Sequence, residues 1–148
     1  MLRRLLNVLV FAVPVSLAAQ APAGTAKASF PDTPIGRAMS EWLDAFNSSD
    51  STRLGAYYRK YRMQRSLEAQ MRFRAQTGGF ELVSIETSEP RLLEFVVRER
   101  ATGNHAVAMS QLALGDSLRM LQSALTAVPK GASITDFKID ATMRAAVV

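Results

Sequence analysis

"AQTGGFELVSIE", residues 75–86, changes its period in the middle. Upstream, "SLEAQMRFRAQ" places Leu67, Met71 and Phe73 near one side of a helix, while downstream Phe80, Leu82, Ser84 and Glu86 alternate with Glu81, Val83, Ile85 and Thr87 as in a strand. Gly78 and Gly79 stand at the joint. A phosphate-binding loop places glycines after a strand and before a helix, so that the helix N-terminus faces the anion. Here the order is reversed, which predicts a left-handed helix C-cap and a turn into a sheet. The alternation in 80–87 mixes polar and apolar residues on both faces, predicting a strand partly covered on each side.

Working back from the glycines, three helices are expected. "PDTPIGRAMSEWLDAFNSSD" opens with Asp32 or Thr33 as cap and Pro34 in the first turn. Ile35, Met39, Trp42, Leu43 and Phe46 form one apolar stripe before Asn47, Ser48 and Ser49 end the helix. Asp50 caps a second helix reaching about Tyr61, with Leu54, Tyr57, Tyr58 and Tyr61 inward, and Ser66 or a neighbour opens the third.

Forward from the glycines the pattern is a meander. "TSEPR" reads as a turn, "LLEFVVRER" as a second strand, and "ATGN" as a tight connection in which Gly103 and Asn104 can take positive φ. "HAVAMSQLAL" is a third strand. "SLRMLQSALTAVP" fits either a fourth strand ending at Pro129 or an amphipathic helix, and the preceding hairpins favour the strand. Residues 129–148 are read as a tail able to add an edge strand.

The 148 residues leave room for one domain, with 48% hydrophobic and 21% charged residues. There is no cysteine, so disulfides, thiolate nucleophiles and cysteine metal sites are excluded. Residues 1–23 read as a secretory signal: Arg3 and Arg4 precede an apolar stretch that Pro14 interrupts, followed by small residues. That stretch is too short for the ~20 residues of a spanning helix. The expectation is therefore an exported protein, periplasmic or extracellular, with residues 24–31 as linker, a domain over 32–128, and no stable membrane span after signal removal.

Without Arg3 and Arg4 the chain keeps 16 basic against 13 acidic residues, a net of +3. That is mild, and nucleic acid is not an expected partner. One dense basic stretch, residues 57–74, carries Arg59, Lys60, Arg62, Arg65, Arg72 and Arg74 between aromatics, a candidate patch for an anionic envelope partner. The plainer reading puts the aromatics inward and the arginines in water.

Three helices followed by antiparallel strands is an α+β layout in which the sheet wraps the helices. With "PDTPIGRAMSEWLDAFNSSDSTRLGAYYRKY", "FRAQTGGFELVSIETSEP" and "LLEFVVRERATGNHAVAMSQLAL", residues 30–114 resemble the cystatin-like, cone-shaped nuclear transport factor 2-like domain. More narrowly, they resemble the N-terminal accessory domain of secreted bacterial serine hydrolases of the penicillin-binding and class C β-lactamase type, and of tail-specific serine peptidases. The resemblance implies a scaffold and an export route. It implies no catalytic residue, because those enzymes keep their nucleophile in a downstream domain, and neither Ser-x-x-Lys nor Gly-x-Ser-x-Gly occurs here.

The leading expectation is a non-catalytic accessory or ligand-binding module, whose partner is an envelope protein or a small apolar or peptide-like molecule. A second reading is a small cavity enzyme of the isomerase or dehydratase type, for which Asp44, Tyr57, Tyr58 and His105 are the weak catalytic candidates. The structural alternatives are a solvated carboxylate at Asp44, core tyrosines with surface hydroxyls, and an exposed turn histidine. A third reading is a fragment of a larger hydrolase. With a single histidine no metal site is expected, and no pattern calls for a cofactor. Trp42 at its helical spacing is expected in the core rather than in a pocket wall.

Overall fold

The structure, a computed structural model, describes residues 27–113, 115 and 118–132. The signal-peptide reading of residues 1–23 and the edge-strand reading of residues 133–148 fall outside them. Its elements are α1 (Pro34–Asn47), α2 (Ser51–Lys60), α3 (Leu67–Thr77), β1 (Phe80–Ser88), β2 (Leu92–Glu99), β3 (His105–Leu112) and β4 (Met120–Ala127). The chain is thus α+β, three helices and then a four-stranded antiparallel sheet in the order β1-β2-β3-β4. Residues Met120–Ala127 form the strand, not the amphipathic helix.

Each helix starts where a short polar side chain satisfies otherwise unpaired N–H groups. Thr33 Oγ1 accepts from Gly36 N at 3.1 Å, Asp50 Oδ1 from Thr52 N and Arg53 N at 2.8 and 3.2 Å, and Ser66 Oγ from Ala69 N at 3.3 Å. At the end of α3, Gly78 sits at φ 68° and its N–H donates to the Arg74 carbonyl at 3.0 Å, a left-handed cap. Asn104, by contrast, does not take positive φ; in that turn Gly103 alone does.

The helices pack on one face of the sheet. Ile35, Met39 and Phe46 from α1 and Leu54, Tyr57, Tyr58 and Tyr61 around α2 are buried with Phe80, Leu93, Phe95 and Val97. The Phe46 ring lies 5.4 Å from Phe80 and 5.5 Å from Trp42, a stacked aromatic column in the centre. Trp42 and Leu43 are only partly buried against this core. Leu67 departs from its expected inward position: it is 36% exposed, because it occupies the first turn of α3 and leans on Gly55 rather than on the sheet. A smaller cluster of Val96, Val107 and Met109 lies on the opposite face of the sheet.

The mixed pattern of β1 has a specific cause. Its register against β2 shifts between Leu82 and Ser84 and again between Ile85 and Thr87. Each bulge moves the alternation by one residue, so Phe80, Leu82 and Ile85 all reach the helix side although their spacing is not uniformly two. The strand also runs to Ser88, so the turn begins later than "TSEPR" suggests.

The α3–β1 corner locks helix to sheet. Asn47, the last residue of α1, donates from Nδ2 to the Phe80 carbonyl and accepts the Phe80 N–H at Oδ1, both at 2.9 Å, as a strand neighbour would. The Gly79 carbonyl accepts from Arg100 N at 3.0 Å, and the Thr77 carbonyl from Ala101 N at 2.9 Å. A Cβ on Gly79 would lie 2.5 Å from Asn47 Oδ1, and one on Gly78 would lie 2.9 Å from Ala101 N. Both glycines are therefore required by close approach as well as by their positive φ values of 68° and 89°.

Candidate functional site

A cavity of about 130 Å³ lies between the helices and the inner face of the sheet. Its space follows from residue size: Ala108 and Ser110 occupy inward positions of β3 where larger residues would meet the helices. Trp42 and Met39, three apart on α1, form one wall, and Phe73 from α3 and Phe95 from β2 form others. The site of Trp42 is thus shared between core and pocket, since it stacks on Phe46 and Phe80 while facing the cavity.

Polar groups enter this apolar space from three sides. The Tyr58 hydroxyl donates to Gln70 Oε1 at 3.1 Å, joining α2 to α3. Ser110 and Ser123 face each other across the β3–β4 pairing with their hydroxyl oxygens 3.2 Å apart. Arg65, in the α2–α3 connection, reaches over to β4 and donates from Nη2 to the Ser123 carbonyl at 2.8 Å. Met63 and Leu125 complete this side, where Arg65 is exposed and the β4 residues are half-buried. Among the described residues no carboxylate and no histidine lines the cavity.

The tyrosine chemistry is that of neutral groups. Burial pushes the Tyr58 hydroxyl up to about 12, against the opposing pull of the Arg65 charge and the Trp42 indole N–H. Burial also raises Tyr57 far above the ordinary tyrosine range, with the neighbouring Tyr61 adding to it. The Tyr57 hydroxyl is not at the surface as expected. It is buried with no hydrogen-bond partner, because the ring is clamped against Tyr58 and Tyr61 at 5.6 and 4.8 Å.

The four catalytic candidates are not brought together. Tyr58 lines the cavity; Asp44 is exposed and shares a broad surface cleft between α1 and α2 with Tyr57, Glu41 and Lys60. His105 is half-buried at the start of β3, paired with Arg98 across the strands and facing away from the helices. Among the described residues no cluster of three or more His, Cys, Asp or Glu is placed to hold a metal ion, and no helix is long and apolar enough to cross a membrane.

The basic stretch is divided among different partners. Lys60 pairs with Glu41 at 2.7 Å, Arg72 pairs with Glu68 one turn away, and Arg74 donates to the Asn47 carbonyl at 3.2 Å. Arg65 is held by β4 as described, and Arg59 and Arg62 are exposed. Sequence reading missed Gln70, Ser110 and Ser123 as cavity residues. The two serines meet only through the β3–β4 register, which neither strand's own sequence signals.

No protein-family model, no curated protein and no solved structure matches this chain.

Proposed function

We propose that this protein is an exported, non-catalytic module that holds a small, largely apolar ligand between its helices and its sheet, related to the accessory domains that precede secreted serine hydrolases. The observation that carries this reading is the cavity lining: aromatic and thioether walls with a few hydroxyl, amide and guanidinium groups and, among the described residues, no carboxylate or histidine to act as base. Tyr58, the catalytic candidate that does reach the cavity, has its hydroxyl held neutral by burial, which suits it to hydrogen bonding rather than proton abstraction. Export is supported by the signal-like residues 1–23. The relation to accessory domains is supported by the helix–Gly-Gly–strand corner and the meander after it.

The test is a titration with small hydrocarbons and their polar derivatives, followed through the methyl resonances of Met39, Met63 and Leu125 and the fluorescence of Trp42. The reading expects shifts confined to these groups, abolished when Ala108→Leu fills the space. Probes that leave the cavity methyls unmoved, in a protein whose spectrum shows it folded, would overturn it.

A further inference from the structure

Resting on the ligand-binding reading, we infer that the cavity selects a small aromatic carboxylate, its ring between Trp42, Phe73 and Phe95 and its carboxylate turned towards Arg65. The inference comes from counting which hydrogen-bonding groups are already engaged. Gln70 lines the space, and its Oε1 already accepts the Tyr58 hydroxyl at one of its two lone pairs, while its amide carries two N–H donors. In the Ser110–Ser123 pair one hydroxyl donates to the other, so one hydroxyl proton remains to be given. Arg65 commits Nη2 to the Ser123 carbonyl, while a guanidinium carries five N–H donors in all. The charged part of the unused capacity is therefore donor capacity, on the Arg65 guanidinium.

Charge points the same way. Among the described residues Arg65 is the only charged one in the lining, so an anion gains and a protonated amine is repelled. A carboxylate is the anion whose two oxygens match the planar donor fork. The rest of the ligand must suit aromatic faces and the soft Met39 and Met63 side chains, which favours a flat ring. Size closes the argument: about 130 Å³ is close to the space of order 150 Å³ that encloses a benzene ring in an apolar protein cavity. A fused or extended ring system is too large, and the exposed position of Arg65 lets the carboxylate sit at the wet end of the space.

The experiment uses protein purified after expression of the full chain, titrated with benzoate, benzamide, benzylamine and toluene, and read by the methyl shifts of Met39 and Met63 and by Trp42 fluorescence. Benzoate should bind at least about tenfold more tightly than toluene, the factor that one charge-assisted hydrogen bond supplies, and benzylamine should bind least. Arg65→Gln should remove the preference for benzoate while toluene still binds, and Arg65→Lys should retain part of it. Toluene binding by Arg65→Gln also shows that this variant keeps its fold. Benzoate and toluene of equal affinity, or a preference that survives Arg65→Gln, overturns the carboxylate assignment and leaves the ligand-binding reading standing. No binding by any of the four probes, in a protein with a folded spectrum, overturns both.

Discussion

Two places where helices meet the sheet are built on different terms. At the α3–β1 corner, side chains and backbone groups satisfy one another: Asn47 bridges both polar groups of Phe80, Thr77 Oγ1 accepts from Gly79 N at 3.3 Å, and Arg74 closes on the Asn47 carbonyl. At the cavity, small residues leave space and several donors stay unused. The corner specifies the fold, and the backbone groups that turn α3 into β1 are spoken for, although Arg74 Nε is buried there without a partner. The cavity is where the same elements can afford to receive something else, so substitutions should be costly at the first place and cheap at the second.

The largest expected effect follows directly. Gly79→Val forces a β-branched residue into φ 89° and drives its Cβ to within 2.5 Å of the oxygen that accepts the Phe80 N–H. Backbone strain and a disrupted hydrogen bond together should cost about 3–4 kcal/mol in denaturant unfolding. Ala108→Leu at the cavity should cost less than about 1 kcal/mol, because space exists to receive the added atoms. Equal losses at the two positions would break the comparison.

The corner was also far more legible in the sequence than the cavity was. Helix caps are local signals, so Thr33, Asp50 and Ser66 could be read from their neighbours, and the order helix, Gly-Gly, strand gave the direction of the chain at Gly78. The bulges in β1 were not legible, since a bulge is defined by what the partner strand does; only a blurred alternation hinted at them. The cavity needs long-range register. Ser110 and Ser123 are placed together by β3–β4 pairing, and Arg65 reaches Ser123 across 58 positions of sequence. Nor could period alone show that Tyr57 buries its hydroxyl without a partner, because a helical stripe specifies direction and not depth.

Alkaline pH probes the tyrosine cluster between these two regions. Tyr58 moves from the ordinary 10.0 to about 12 on folding, so the folded state favours its neutral form. The raised value means that this contribution to stability is fully present below pH 10, the unfolded value, and is lost as pH rises towards about 12. Tyr57 and Tyr61 are raised as well, mainly by burial, and add to the same decline. The melting temperature should be level to about pH 9 and fall beyond pH 10. A level profile up to pH 12 would show that the cluster is wetter than its packing implies.

A smaller effect of opposite sign is expected from Tyr57→Phe. The buried Tyr57 hydroxyl lost its contacts with water and gained no partner, so removing it removes an uncompensated desolvation. Stability should rise by about 1 kcal/mol, read as a later denaturation midpoint with unchanged slope. A loss of stability instead would mean that the hydroxyl is hydrogen-bonded in solution.

The smallest expected effect separates two arginines on one helix. Arg74 is half-buried in the corner and donates to the Asn47 carbonyl, while Arg72, two residues earlier, points into solvent and pairs with Glu68. An exposed pair one turn apart gives little, since water already solvates both charges and holding two long side chains together has an entropic cost. Arg72→Gln should therefore change stability by no more than about 0.5 kcal/mol, with the difference shrinking further in added salt. Arg74→Gln, which opens the corner, should cost more and show little salt dependence, because the acceptor it loses is a carbonyl rather than a carboxylate. If the two variants behave alike, the corner is not specified by the contacts that converge on Asn47. If they separate as described, the boundary between the committed corner and the solvated face of α3 runs between positions 72 and 74.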